Sequence, residues 1–173
     1  GVKGDAANRP ELLKQFCARF VERAFRRPLS DEQKQLYVER QFAESPDVET
    51  AVKRVVLLTL KSPRFLYTDL RRGESDAYDV ASRLSFGLWD SLPDGALLDA
   101  AAKGQLVHSE QVMQQAERML PDLRTRAKLG EFFRQWLKVD HVPDVAKDST
   151  QFPEFDAALA ADLRTSLELF LED

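Results

Sequence analysis

The sequence has few of the residues that disulfide, haem or metal chemistry requires. Its 173 residues include a single cysteine, Cys17, and only two histidines, His108 and His141. One cysteine allows no internal disulfide, no Cys-x-x-Cys pair and no Cys-x-x-Cys-His attachment site for haem c. Cys17 lies within an apolar helical stripe, which favours a small core residue over a nucleophile. We therefore expect no cofactor in this chain.

The sequence also lacks a basic excess and a long hydrophobic run. Its formal net charge is -4 and its isoelectric point is about 5.3, whereas a nucleic-acid binder usually has a basic face or an overall basic balance. No run approaches the roughly 18 apolar residues that a membrane-spanning helix needs. We therefore predict no nucleic-acid partner and no membrane span. The opening residues GVKGDAANR contain no apolar signal core, so we expect that a leader or an upstream domain has been removed.

What the sequence does contain is apolar residues at helical spacing. The rest of the chain is arranged around Val52–Leu70, where we expect a helix that is apolar on most sides and therefore central. Its predicted core side chains are Val52, Val55, Val56, Leu57 and Leu60. Because Pro63 cannot continue the helical hydrogen bonds, the helix should end near Lys61 and pass into an extended strip over Arg64–Tyr67.

The same spacing predicts helices before and after this stretch. An apolar stripe between Pro10 and Pro28 predicts the first helix, and Ser30 and Gln33 have the spacing of a capping box at the start of the second. In the C-terminal half, one stripe should dominate the core: Leu129, Phe132, Phe133, Trp136 and Leu137. No segment alternates as a strand does, so the predicted fold class is all-α, with about eight helices in two packed helical subdomains. A repeat solenoid is secondary, because no signature residues recur at a fixed period.

A polar segment with a glycine, Arg71–Ser75, marks the expected domain boundary. We therefore predict one helical domain over residues 1–72 and a second over residues 73–173. Apolar residues keep helical spacing up to Asp173 with no cap to end the helix. We expect the second domain to be truncated and the natural polypeptide to continue past Asp173.

The densest polar group contains Asp140, His141, Asp144 and Asp148. Hard cations prefer several oxygen ligands at one point, which makes Asp140, Asp144 and Asp148 candidate metal ligands. Their spacing matches no EF-hand, because there is no glycine for its turn and Pro143 intervenes. The alternative is a solvated loop with capping aspartates.

An enzyme domain, glycan-active or oxidative, is the alternative to a structural role. Its acidic site would lie between the two halves and use Asp90, Asp94, Asp140 or His141 as candidate catalytic residues. The pair of His141 and Asp140 can orient a general acid or base. No serine or cysteine motif supplies a partner nucleophile.

Arginines and one tryptophan are the candidate binding residues. Arg26 and Arg27 end a cluster that begins at Arg19, where basic side chains complement the negative end of the helix dipole. If buried, Arg26 or Arg27 would pair with acids from the second half; together with Arg64, they alternatively offer a docking site to an acidic partner or an anionic glycan. Trp89 is a core anchor if buried, which we favour, and a stacking platform for a sugar if exposed.

Five motifs resemble two adjoining domains of unknown function. The segments Ala24–Ser30 (AFRRPLS) and Ser62–Tyr67 (SPRFLY) resemble the first, DUF1595. The second, DUF1592, is similar to three later segments: Ala81–Asp94 (ASRLSFGLWDSLPD), Gln135–Leu137 (QWL) and Phe152–Phe155 (FPEF). Together the motifs span nearly the whole chain in the order that the two families have.

The resemblance implies a biological context but no reaction. These domains are typical of long planctomycete and myxobacterial proteins, commonly exported, that often carry a c-type cytochrome domain upstream. It therefore implies an exported or periplasmic location, and any haem c would belong to an upstream domain absent from this chain. It supplies no catalytic residues to carry over, and a link to extracellular polymer breakdown or electron transfer follows from neighbouring domains only.

The sequence thus favours a non-catalytic helical scaffold or interaction module within a larger exported, cytochrome-associated protein. Its expected partners are the remaining segments of the same polypeptide, especially the continuation after Asp173. A polysaccharide is a further candidate partner.

Overall fold

Helical spacing of apolar residues translates directly into the observed secondary structure. The computed structural model of the chain describes residues 8–67, 75–138, 147–148 and 150–172. These residues form nine helices and no strand, which confirms the all-α fold class. The helices are α1 (Arg9–Phe25), α2 (Asp31–Lys34, Gln35–Glu39 and Arg40–Ala43 in continuous succession), α3 (Val48–Leu60), α4 (Pro63–Leu66), α5 (Ala77–Trp89), α6 (Gly95–Ala102), α7 (Ser109–Met119), α8 (Leu123–Trp136) and α9 (Ala157–Glu172).

Helix α2 begins at the predicted capping box. The backbone N–H of Gln33 donates to Ser30 Oγ over 3.3 Å, and the backbone N–H of Ser30 donates to Gln33 Oε1 over 3.2 Å. The middle of this helix, Gln35–Glu39, is π-helical. Such wide turns inside α-helices are rare, and this one carries the two buried residues of α2, Tyr37 and Val38.

The predicted end of α3 is confirmed, but the extended strip after it is wrong. Helix α3 ends at Leu60, and Pro63–Leu66 then forms the short helix α4. The backbone N–H of Arg64 donates to Ser62 Oγ over 3.3 Å, so Ser62 caps this turn. The proline that ends α3 is also suited to the first turn of a new helix, because its missing N–H would have no partner there.

Helix α3 buries one stripe and not most of its sides. Its buried residues are Ala51, Val55 and Thr59. Leu57 and Leu60, both predicted to lie in the core, are 57% and 39% exposed. The apolar residues of α3 therefore exceed what its neighbours cover.

The described residues fall into two compact units. The first contains the described residues up to Gly87 together with Ser91–Gln115, and the second contains Leu88–Asp90 together with the described residues from Ala116 onward. The division passes through the last turn of α5 and through α7, between Gln115 and Ala116. The domain boundary between residues 72 and 73 remains a prediction from the sequence.

The core of the first unit forms where α1, α2 and α3 pack together. Phe25 and Tyr37 meet edge to face with their ring centroids 4.9 Å apart. The whole buried cluster consists of Cys17, Val21, Ala24, Phe25, Tyr37, Val38 and Val55. Burial raises the pKa of the Cys17 thiol to about 11, in keeping with the predicted core role.

The second unit buries few of its described residues, namely Trp89, Met119, Thr125 and Ala160, and the first three are joined by hydrogen bonds to Met119 O. The prediction that the α8 stripe dominates the core of the C-terminal half is wrong. Phe132 is 55% exposed, Trp136 is 67% exposed, and Leu129 and Leu137 are also exposed. Helices α8 and α9 contact each other, but a pair of helices can cover only the facing stripe of each partner.

Among the described helices, none combines the length and the apolar character that crossing a membrane requires.

Candidate functional site

The candidate site begins at the C-terminal end of α1, where Arg26 takes a backbone conformation that favours glycine. Its φ is 60°. The backbone N–H of Arg26 donates to Arg23 O over 3.2 Å and that of Arg27 donates to Glu22 O over 3.1 Å, the two hydrogen bonds of a Schellman motif. A side chain in this conformation costs about 1 kcal/mol or more. An arginine here therefore indicates that the side chain itself makes stabilising contacts.

The guanidinium of Arg26 is buried against backbone carbonyl groups. Its Nη2 donates to Arg64 O over 2.7 Å and to Tyr67 O over 3.3 Å. Its Nη1 donates to Phe65 O over 3.4 Å and to Ala24 O over 3.2 Å. Three of these carbonyls lie at the C-terminal end of α4, where a cation complements the helix dipole. Burial lowers the pKa of Arg26, and the positive charge of Arg27 lowers it further.

Arg27 contacts carboxylates at the start of α5. Its Nη1 donates to Asp76 Oδ2 over 2.8 Å, and its Nη2 donates to Asp79 Oδ1 in a second ion pair. Asp76 Oδ1 also accepts from the backbone N–H groups of Tyr78 and Asp79, both over 3.0 Å, so Asp76 caps α5. Arg27 Cζ lies 5.7 Å from the Tyr78 ring centroid. The predicted pairing with acids from the second half is observed for Arg27, which is partly buried. The fully buried Arg26 hydrogen-bonds carbonyl groups instead.

A cavity of about 660 Å³ lies beside the two arginines. At one side of it the Tyr37 hydroxyl and Ser62 Oγ are 2.9 Å apart in a buried hydrogen bond. The side chain of Arg64, the third predicted binding arginine, makes no hydrogen bond or ion pair within the part of the chain that the structure describes. The described residues that line the cavity are Phe25, Arg26, Arg27, Pro28, Ser30, Gln33, Tyr37, Ser62, Pro63, Arg64, Tyr67, Asp79 and Ser82.

The polar groups of this cavity hold the chain in place. The guanidinium of Arg26 donates to carbonyl groups and that of Arg27 donates to carboxylates. Ser62 caps α4, and its hydroxyl is hydrogen-bonded to the Tyr37 hydroxyl. Both DUF1595-like motifs meet here, since Arg26 belongs to the first and Arg64 and Tyr67 to the second. The motif residues in contact here therefore act as a structural clamp.

Trp89 is buried, as favoured, with 4% of its surface exposed. Its Nε1 donates to Met119 O over 3.1 Å. The guanidinium carbon of Arg124 lies 3.6 Å from the indole ring centroid, and that of Arg118 lies 5.6 Å away. A sugar stacked on this ring would have to displace the Arg124 side chain.

The candidate catalytic acids that can be placed have structural partners. Asp90 Oδ1 accepts from Lys128 Nζ over 2.8 Å within the second unit. In the first unit, Asp94 Oδ1 accepts from the backbone N–H of Leu97 over 2.9 Å and caps α6. The other two candidates, Asp140 and His141, lie outside the described residues.

The candidate metal ligands can be located only in part. Asp140 and Asp144 lie outside the described residues. Asp148 Oδ1 accepts from the backbone N–H of Thr150 over 2.8 Å, and this hydrogen bond lowers the pKa of Asp148. Within the described ranges, no group of three or more His, Cys, Asp and Glu side chains is arranged to hold a metal ion.

Sequence reasoning did not name the partners of Arg26 and Arg27. The acids that pair with Arg27 are Asp76 and Asp79, whose spacing of three residues before an apolar run is a capping signal at a helix start. The carbonyl partners of Arg26 have no sequence signal, because every residue carries a carbonyl group.

Comparison with known families covers both halves of the chain. Residues 76–173 match the family model described as PSD4, protein of unknown function (DUF1592). Residues 13–69 match the model described as PSD5, protein of unknown function (DUF1595). No curated protein and no solved structure matches the chain.

Proposed function

The chain belongs to the family of proteins of unknown function DUF1592, and on that premise we propose that it is a non-catalytic helical scaffold and interaction module. It acts within a larger exported multidomain protein associated with a c-type cytochrome. Its principal partner is an amphipathic helix in the polypeptide that follows Asp173.

One observation carries this proposal, an exposed apolar surface on α8. The α8 surface consists of Leu129, Phe132, Trp136 and Leu137, which lie on one helix face by their spacing. All four side chains are exposed. The rings of Phe132 and Trp136 stack with their centroids 6.0 Å apart and their planes at 22°. Exposed apolar surface of this kind is typical of a partner-binding site.

A groove of about 620 Å³ adjoins this surface in the second unit. Its apolar lining includes Leu129 and Phe133 of α8 and Leu171 of α9. Gly130 lies in the lining, and a Cβ atom at that position would meet nothing within 4 Å. A groove lined by apolar side chains, with charged groups at its margin, is what an amphipathic helix binds. The charged lining residues are Arg126, Arg134 and Glu168.

The haem of the proposed context belongs to another segment of the protein. Covalent haem c attachment needs two cysteines and a histidine in one motif. Cys17 is buried, and the sequence contains no second cysteine. The residues of this chain therefore do not fit haem c, and its proposed role is to hold neighbouring segments together.

The test compares this chain with a polypeptide extended past Asp173. We expect the extended polypeptide to bind less of a hydrophobic dye and to melt several degrees higher, because covering the α8 surface removes apolar area from water. Trp136→Gln should abolish most of that difference. The control is Leu57→Gln, which replaces an apolar residue of the first unit that is also more than half exposed and should leave the difference intact. Equal melting and equal dye binding for the two polypeptides would exclude the proposal.

A further inference from the structure

The two family matches and the two compact units divide the chain at different places. The DUF1595 match ends at residue 69 and the DUF1592 match begins at residue 76. The first compact unit continues to Gly87 and also takes in Ser91–Gln115. Most of α5, all of α6 and the part of α7 up to Gln115 therefore group with the helices of the DUF1595 match.

Adjacent arginines contact the chain on both sides of the connection between the two matches. Arg26 binds the carbonyl groups of Arg64, Phe65 and Tyr67, which precede residues 68–74. Arg27 binds Asp76 and Asp79, which follow them. Because the two arginines are neighbours at the end of α1, they fix both ends of that connection to the same helix end.

A cavity along α1 has residues of both family matches on its walls. This cavity of about 380 Å³ is lined by α1 residues and by residues of α5 and α6. Arg19, Glu22 and Arg23 form its α1 side, and the opposite side includes Tyr78, Leu98 and Ala102. Arg26 also approaches α5, since its Cζ lies 5.8 Å from the Phe86 ring centroid. The DUF1595 match is thus in contact with the start of the DUF1592 match at several points.

The helices that follow the connection are deeply buried within the first unit. On α5, Ala81, Ser82 and Ser85 are buried, and on α6, Leu97 is inaccessible to solvent. Helix α6 has eight residues, fewer than an isolated helix needs in water. It therefore depends on packing within the first unit for its stability.

From these contacts we infer that the end of α1 and the short helix α4 form a docking surface whose partner is the N-terminal part of the DUF1592 segment, α5 and α6. The two matched families are then one folding unit in this protein. Without α5, Arg27 would lose both of its carboxylates and the charged hydrogen bonds that it donates to them. The docking surface is distinct from the α8 surface and does not depend on the proposed function.

The experiment uses the whole chain, with a specific protease recognition sequence inserted after Gly73 and cut after folding. We expect the two fragments to co-elute at the size of the uncut chain and to melt in a single transition. Separation of the fragments on gel filtration, with the N-terminal fragment still helical and melting cooperatively by itself, would overturn the inference.

Variants of the cut protein locate the docking surface. Arg27→Ala should weaken the association of the two fragments at least tenfold, because each 1.4 kcal/mol of lost binding free energy corresponds to a factor of ten. Arg27→Lys, which keeps the charge but loses the forked geometry, should weaken it less. The matched control is Arg40→Ala on α2, an exposed arginine whose ion pair with Glu44 lies within the N-terminal fragment. An equal effect of Arg40→Ala and Arg27→Ala would contradict the assigned surface.

Discussion

At the scale of single residues, Arg26 shows why a family motif can be structural. It occupies a left-handed backbone position that glycine fills at no steric cost. Its guanidinium binds four carbonyl groups that would otherwise lack these partners. These four hydrogen bonds offset the conformational cost of an arginine side chain at this position.

Substitution of Arg26 separates the two effects. Arg26→Ala should lower the free energy of unfolding by about 3 kcal/mol, because it removes charged hydrogen bonds and leaves buried carbonyls without partners. Arg26→Gly should be less harmful by about 1 kcal/mol, because glycine relieves the positive φ. Urea unfolding measures both values. If the alanine variant proved as stable as the glycine variant, backbone strain at this position would be refuted.

The pH dependence of the second unit centres on Asp122. Its hydrogen bonds from the Arg124 side chain and backbone lower its pKa to about 2. Because the folded pKa is below the value of about 3.9 in an unfolded chain, this carboxylate stabilises the fold above about pH 4. The stabilisation is lost as the pH falls from about 4 toward 2. It is small, since the pair is exposed to solvent.

Carboxyl-carbon NMR titration tests this assignment. Asp122 should titrate with a midpoint near 2, and Arg124→Gln should return the midpoint toward the usual range. Asp122→Asn should flatten the corresponding part of the stability profile. A normal midpoint in the unmodified chain would show that the Arg124 contact does not persist in solution.

Residue patterns predicted the pairing of Arg27 and the burial of Trp89 better than backbone contacts. The pairing of Arg27 with acids followed from its position ahead of a proline, where an arginine can brace carboxylates, and the burial of Trp89 followed from its size and position at a helix end. The partners of Arg26 could not be found, because they are carbonyl groups that the amino-acid type does not distinguish. The exposure of Leu57 was also missed, since apolar composition does not show how many neighbours a helix has.

At the scale of elements, the short helix α4 shows how one proline both ends and begins a helix. Pro63 ended α3 as predicted and then occupied the first turn of α4. The strip was predicted to be extended because a proline biases the preceding residue, and Ser62 is indeed extended. The following residues are helical because Ser62 caps them and Arg26 binds their carbonyls.

The cap of α4 can be tested with the tyrosine that supports it. Ser62→Ala should lower the free energy of unfolding by about 1 to 2 kcal/mol, because it removes a helix cap and a buried hydrogen bond. Tyr37→Phe should cost about 1 kcal/mol for the same hydrogen bond. The double variant should cost less than the sum of the two, since both remove one shared interaction. Strict additivity in a double-mutant cycle would contradict a coupled pair.

The elements of the second unit show a limit of sequence patterns. The α8 residues have the spacing of an amphipathic helix, and that spacing correctly predicted a helix with one apolar face. Spacing does not show which element covers that face. The core role of Phe132 and Trp136 was therefore predicted wrongly, and their exposure became the basis of the proposed interaction surface.

At the scale of the whole molecule, the two units differ in how fully they use their apolar residues. The first has a buried cluster that joins α1, α2 and α3. The second leaves large apolar side chains of α8 exposed. We infer that the first unit supplies most of the stability and that the second supplies the binding surface.

This division predicts where stability and association respond to substitution. Val55→Ala in the first unit should lower the free energy of unfolding by about 2 kcal/mol, because it leaves a cavity in a fully buried site. Phe132→Ala in the second unit should change stability little and should weaken docking of the proposed partner helix. Chemical denaturation measures the free energy of unfolding. A binding titration measures docking, with a peptide of the proposed partner helix as the ligand. A large loss of stability in the Phe132 variant would place that ring in a core.

The most direct test of the interaction module uses the two tryptophans of the sequence, Trp89 and Trp136. Oxidative footprinting by mass spectrometry measures the reactivity of each ring in this chain and in the polypeptide extended past Asp173. The exposed Trp136 should react rapidly in this chain and be protected in the extended polypeptide, while the buried Trp89 should be protected in both. Equal reactivity of Trp136 in the two polypeptides would contradict a docked partner helix on α8.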